Sequence, residues 1–171
     1  MELWDIYDID RNPSGNTAVR GEKLGENCYH LVVHVCIFSS DGRMLIQQRQ
    51  STKSWANKWD ISCGGCAVKG ENSRQAAHRE LYEELGIDID FDGMRPALSM
   101  NFDHGFDDFY LITKDLDASE LRLQAAEVQA VRWASKEEIL SLIDTGKFIP
   151  FFKSFVCLLF DIRKKPDCLN I

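Results

Sequence analysis

Glu80, Glu83 and Glu84 are the residues of this chain whose type and spacing promise chemistry. They lie in the run Arg79-Glu80-Leu81-Tyr82-Glu83-Glu84-Leu85-Gly86-Ile87, downstream of Gly65 and Glu71. Successive helical residues turn by about 100°, and residues three and four apart are neighbours on one face, so the three glutamates share a stripe. Like charges on one stripe repel, and no basic residue follows Glu80 at the third or fourth position to relieve them. A bound cation would, and hard oxygen ligands suit Mg²⁺ or Mn²⁺. Carboxylates at helical spacing behind a glycine-rich turn are a way to hold a divalent metal against a diphosphate. An isolated E-x-x-E-E is more often a solvated acidic helix face.

The helix that must position this stripe has its own signals. Ala77, Leu81 and Leu85 fall on an adjacent stripe and anchor it to a core. Asn72 or Ser73 caps its start, and Gly86 ends it. Gly65 and Gly70 let the entering loop approach a ligand closely. Upstream, the turn signal Arg11-Asn-Pro-Ser-Gly15 between 3–9 and 17–20 predicts an N-terminal hairpin within residues 1–25. Tyr29 to Phe38 reads as a buried strand, Asp41-Gly42 as its turn, and Met44 to Gln48 as its partner. Residues 51–58 read as a polar loop, and 59–62 lead into the glycine-rich turn. Downstream, 98–102, 109–113 and 127–134 read as strands, with a turn over 103–108. Residues 136–143 read as a helix capped by Ser135, and 150–165 as a final amphipathic helix with Pro150 near its start. Strands with interspersed helices predict an α/β or α+β sandwich.

The whole chain narrows the function classes. Its 171 residues predict one domain over 1–171, and 44% hydrophobic content is that of a globular protein. A net charge of −7 argues against a general nucleic-acid-binding surface but leaves room for a small anionic substrate. The start carries no basic, apolar leader, and no apolar run reaches membrane-spanning length, so a cytoplasmic protein without a membrane partner is the expectation. The cysteines, at 28, 36, 63, 66, 157 and 168, then read as free thiols. Cys63-Gly-Gly-Cys66 is a single C-x-x-C, too little for a four-cysteine zinc site. The N-terminal hairpin and the apolar 151–160 helix could each form a homodimer contact or close the core.

The stretch from Gly65 to Ile87 resembles the signature of the Nudix hydrolases, G-x5-E-x7-R-E-U-x-E-E-x-G-U with U a bulky aliphatic, and fills every specified position. The resemblance implies an α/β/α sandwich on a mixed sheet. It implies that Glu80, Glu83 and Glu84 ligate the metal with the carbonyl of Gly65, while Glu71 and Arg79 pair to fix the loop against the helix. Glu127, before the strand 128–133, stands where such proteins carry a further metal-binding or basic glutamate; Asp108 and Glu120 are alternatives, and an exposed strand-start carboxylate is the plain reading. Glu83, Glu84 and Glu127 are thus the catalytic candidates. Arg49 and Lys53, with Lys58 following, are candidate diphosphate-binding cations, Arg by a bidentate contact and Lys as a point charge.

From Arg49 to Glu71 the chain is similar to the isopentenyl diphosphate isomerase branch of that family. The isomerases place a cysteine before the glycine that opens the signature and a metal-binding histidine after it. Here those places hold Gly64 and Cys66, with Cys63 next to the first. His30 matches one isomerase histidine. His30 and His34 share one strand face, His78 lies on the carboxylate helix, and His104, in a turn that could border the pocket, is a possible base. Three functions follow: a Mg²⁺- or Mn²⁺-dependent hydrolase of a nucleoside diphosphate joined to another group, an isopentenyl diphosphate isomerase using Cys63 or Cys66, or a nucleotide sensor without turnover. Trp4, Trp55, Phe102, Phe106 and Phe109 are candidate stacking surfaces or core residues.

Overall fold

The computed structural model describes residues 2–167 and 169. In chain order it contains β1 (Leu3–Tyr7), β2 (Pro13–Val19), β3 (His30–Phe38), β4 (Met44–Arg49), β5 (Trp59–Asp60), β6 (Cys63–Cys66), α1 (Ser73–Leu85), β7 (Leu98–Phe102), β8 (Gly105–Thr113), β9 (Val128–Ala134), α2 (Lys136–Asp144) and α3 (Lys153–Ile162), with a short 3₁₀ turn at Ala118–Glu120 before β9.

The main sheet runs β5-β4-β3-β8-β7, with β6 added beside β3 and β9 beside β4. It is mixed: β3 and β8 are parallel from His30↔Gly105 to Phe38↔Thr113, and the other pairs are antiparallel. Alternate residues of a strand point to opposite faces, and β3 divides accordingly. Leu31, Val33, Val35 and Ile37 enter one core with Ala76, Ala77, Leu81 and Leu85 of α1. Cys36 and Phe38 enter a second core with Ile139 of α2 and Val156, Leu159 and Phe160 of α3. Helices therefore cover both faces, the expected α/β/α sandwich. A strand buried on both sides reads as a continuous apolar run, which is why β3 is so dense in valine.

Four expectations about the strands and their turns need correction. Met44 to Gln48 was expected to pair along β3, yet the two strands pair only at Phe38↔Met44. The Ser62 hydroxyl sits where they part, accepting from Ile37 N (2.8 Å) and donating to Leu45 O (2.6 Å). Beyond it β4 pairs with β5 and β9, and β6 takes the place beside β3. Second, the Cys63–Cys66 segment is a strand rather than a turn, because glycines can lie flat against Val33 and His34 where side chains would collide. Third, β8 begins at Gly105 and leaves only 103–104 as the turn; a Cβ at Gly105 would lie 2.4 Å from the Phe102 ring. Fourth, the N-terminal hairpin turns earlier than Pro13-Ser14-Gly15, which belong to β2, because Asp8 Oδ1 accepts from Asp10 N and Asn12 N and closes the turn there.

The terminal elements are packed rather than loosely attached. Trp4 and Ile6 of β1 are buried, and Tyr7 bridges to Tyr29. The final helix is shorter than 150–165, starting after Phe152, and buries Val156, Leu159 and Phe160. Among the described residues no helix is long and apolar enough to cross a membrane.

Candidate active site

Asn72 caps α1 by accepting from Arg74 N and Gln75 N, and the Gln75 side chain in turn accepts from Asn72 N. Gly86, at φ 70°, ends the helix in the left-handed conformation that favours glycine. Burial of Ala76, Ala77, Leu81 and Leu85 then fixes the rotation of α1 and turns its glutamates toward the gap between β4 and β6.

Glu84 goes deepest. It is only 6% exposed and accepts from Gln47 Nε2 at 3.0 Å. Burial, with Glu80 beside it, pushes its carboxyl up to about 8. Glu80 lies under Gly65, and burial pushes its carboxyl up too, against the pull of Arg79. Glu83 remains half exposed. Arg79 holds the group together. Its guanidinium grips Glu71 through two bonds (2.7 and 2.9 Å), and reaches Glu80 Oε1 (2.9 Å), Glu83 Oε2 (3.3 Å) and the Cys66 carbonyl (3.0 Å). No basic residue follows Glu80 at the third or fourth position, but the residue just before it relieves the stripe, because the long guanidinium fork doubles back over its own helix.

Across the gap, Lys53 Nζ pairs with Glu127. Arg49 Nη1 meets Asp60 Oδ2 (3.2 Å) and Arg49 Nε donates to Ser54 O (2.8 Å). Gly64, Gly65, Arg79, Glu80, Glu83, Glu84, Arg49, Lys53 and Glu127 all line one cleft of about 230 Å³. Glu71 and Gly86 stand behind it, one locking Arg79 and the other closing the helix. Glu2 and Arg20 of the hairpin, paired at 2.9 Å, and Gln124 also line the cleft. Sequence reasoning missed all three, and no local motif marks them.

The remaining candidates lie elsewhere. Lys58 donates to Gly146 O and stays outside the cleft. Asp108 is buried among Arg11, Ser73 and Ser99, and Glu120 lies in the 3₁₀ turn, so neither shares the cleft with α1's glutamates. His104 contributes its carbonyl to His30, His78 pairs with Asp88, and His34 pairs with Asp107 at 3.0 Å; none of these rings lines the acidic cleft. Trp4, Phe106 and Phe109 are core residues, whereas Trp55 and Phe102 are exposed. Cys63 and Cys66, three apart on β6, project to opposite faces. Burial, with Glu84 and Glu80 nearby, pushes the Cys63 thiol well above its usual value, and burial raises Cys66 to about 11. Neither is poised as a thiolate. Cys168 lies outside the described residues.

Among the described residues, no three His, Cys, Asp or Glu side chains already converge as a finished metal cage. Arg79 and Lys53 hold the carboxylates that would have to turn inward. The donor set nonetheless fits a hard divalent cation: closely spaced carboxylates, one deeply buried, beside a glycine with no side chain to fill the space.

A split mixed sheet with a carboxylate helix behind a glycine strand defines a class, and comparison with known proteins specifies it. The NUDIX domain profile matches residues 29–154. An uncharacterised Nudix hydrolase of Listeria monocytogenes is 49% identical over 164 residues, covering 95% of this chain and 96% of the relative. An isopentenyl-diphosphate Delta-isomerase of Pectobacterium atrosepticum is 35% identical over 95 residues, 51% of this chain and 50% of the isomerase. A crystal structure of a Deinococcus radiodurans protein superposes with a TM-score of 0.74 at 22% identity, covering 91% of this chain and 98% of that one, a likeness of fold. This chain belongs to the Nudix hydrolase family.

Proposed function

We propose that the protein is a Mg²⁺- or Mn²⁺-dependent hydrolase that cleaves the diphosphate bond of a nucleoside diphosphate joined to another group. The observation that carries the reading is the facing of two sets of charges across one cleft, α1's glutamates on one wall and Arg49, Lys53 and Glu127 on the other. Glu80, Glu83 and Glu84, with the Gly65 carbonyl, would hold the metal. When bound, the ion would neutralise charge developing on the diphosphate oxygens. Arg49 and Lys53 then bind and orient the diphosphate, and Glu127, released from Lys53, accepts the proton of the attacking water. Glu71 and Arg79 hold the glycine strand against α1. The substrate is a small molecule, and the enzyme works without nucleic acid or membrane, in the cytoplasm.

The half-length match to an isomerase keeps double-bond migration in view. That chemistry needs a thiol within reach of the allylic carbon, and Cys63 is only 1% exposed, wedged beside Glu84. Hydrolysis is therefore the better reading. The test is cleavage of nucleotide sugars, dinucleoside polyphosphates, nucleoside triphosphates and prenyl diphosphates, with Mg²⁺ or Mn²⁺ and with EDTA, read by phosphorus NMR as loss of the diphosphate signals and appearance of phosphomonoesters. Parallel proton NMR follows the isopentenyl diphosphate sample. Metal-dependent cleavage supports the hydrolase; double-bond migration without cleavage would overturn it.

A further inference from the structure

The two ends of the main sheet are finished differently. At β5 the edge is covered: Trp59 N donates to Lys147 O and Ile149 N to Trp59 O, both at 2.8 Å. At the other end β7 pairs only with β8, and among the described residues no hydrogen bond from any other segment reaches the backbone of 98–102. An open edge directs alternate N–H and C=O groups outward, where another strand can take them. Folded proteins blunt such edges with lysine, proline, a bulge or an inward charge. The strand Leu98-Ser99-Met100-Asn101-Phe102 carries none of these, and its register with β8 runs unbroken. Its two faces differ. Leu98 packs in the second core with Phe109, so Met100 and Phe102 share that face. Ser99 donates to Asp108 on the α1 side, with Asn101 on the same face. Met100 and Phe102 nevertheless stay 43% and 38% exposed.

The pattern of this strand is its own complement. Two copies of β7 laid antiparallel about Met100 set Leu98 opposite Phe102 and Ser99 opposite Asn101, while Met100 meets its own copy. Apolar residues then face apolar residues, hydroxyl faces amide, and no like charges meet. The flanks agree. Arg95 precedes the strand and Asp103 follows it, and in this register each Arg95 lies diagonally across from Asp103 of the copy, within reach of a long side chain. Among the described residues neither side chain has a hydrogen bond or an ion pair. Opposite charges thus bracket a neutral edge, in a chain whose net charge of −7 sets copies apart elsewhere. We propose that the protein is a two-fold dimer joined through β7, its partner a second copy of this chain, with the two main sheets continuous across the interface. Each copy spends the same edge, so the pairing closes on itself. Strands β8 and β3 stand between β7 and the strand that carries Arg49, so the dimer leaves the acidic cleft open.

The test is sedimentation velocity over a concentration series, in which a species of twice the chain mass should grow in as the protein is concentrated. Met100→Lys sets two ammonium groups against each other on the two-fold axis and should raise the dimer dissociation constant by about tenfold or more. Its melting curve, taken where both proteins are monomers, should match the wild type because Met100 is exposed. Met100→Cys tests the register. Opposed residues of antiparallel strands have Cα atoms roughly 4.5–5.5 Å apart, within disulfide reach. This variant should therefore cross-link in oxidised glutathione much faster than the wild type, whose Cys28, Cys66 and Cys157 are only partly exposed. Asn101→Cys, whose copy lies diagonally across at about 7–8 Å, should not. A monomer at every concentration overturns the proposal. So does a dimer that Met100→Lys leaves intact, or cross-linking no faster at position 100 than at 101.

Discussion

Gly65 and Glu80 are packed so closely that a Cβ on Gly65 would lie 2.2 Å from Glu80 Oε1. All the atoms it would meet belong to the far end of the Glu80 side chain, so the carboxylate must move, away from the position in which it accepts from Arg79. Gly65→Ala should therefore displace Glu80 while leaving the apolar face of α1 in its core. Metal-dependent turnover is expected to fall by about 10²-fold, as for other small misplacements of a reacting group, with thermal unfolding much less affected. Steady-state rates alongside a melting curve check this; unchanged kinetics would break the link between the glycine strand and the metal ligands.

Glu84 sits in surroundings that favour its neutral form, with burial and Glu80 both pushing its carboxyl up to about 8. Glu84→Gln replaces that neutral acid with an amide of the same shape. Metal-free stability should change by less than about 1 kcal/mol. Turnover should drop by roughly two orders of magnitude or more, since a charged ligand contact of about 3 kcal/mol is lost. Mg²⁺, which stabilises by binding only the folded state, should raise the melting temperature of the wild type and not of the variant. Differential scanning fluorimetry with Mg²⁺ and with EDTA reads both.

Lys53 is tied to Glu127, and on the proposed reading a diphosphate substrate would have to compete for it. Lys53→Met removes the point charge but keeps the length of the stem. KM for a diphosphate substrate should rise by about tenfold or more, the worth of one hydrogen bond to a charged group, with a smaller change in kcat. A fall in kcat alone would move Lys53 from binding to chemistry.

The N-terminal hairpin is anchored by an acid-sensitive contact. Asp108 is almost wholly buried; burial raises its carboxyl, but hydrogen bonds from Arg11, Ser73 and Ser99 outweigh that and hold it below the usual range. A depressed carboxylate contributes stability that is present above its unfolded value of about 3.9. That contribution is lost as pH falls through the lower folded value. Denaturant unfolding should show this acid loss in the wild type and a flatter profile in Asp108→Asn, which should also be less stable at neutral pH by about 1–3 kcal/mol.

Much of the candidate site was legible in the sequence because its determinants are local. A helix turns its own residues onto one face whatever surrounds it, so the stripe of Glu80, Glu83 and Glu84, the Asn72 cap and the Gly86 stop follow from spacing alone. The strands β3 and β9 and the Ser135-capped helix were readable for the same reason. What lay beyond reach depends on pairing between distant segments. That β4 leaves β3 after one residue pair is decided by Ser62 and by the strands that capture each side, and without that parting there is no cleft.

Burial is the other quantity that only the tertiary structure decides. The sequence placed Glu84 beside Glu80 and Glu83 but could not say that Glu84 sinks against Gln47 while Glu83 stays half exposed. It named Trp4, Trp55, Phe102, Phe106 and Phe109 as equals, and packing put Trp4, Phe106 and Phe109 in the core and left Trp55 and Phe102 on a groove. Glu2 and Arg20 reach the cleft only because the hairpin folds back onto β3. The types and order of the charged groups are written in the chain. Their solvation, and therefore what each can do, is set by the neighbours that folding brings from far away in sequence.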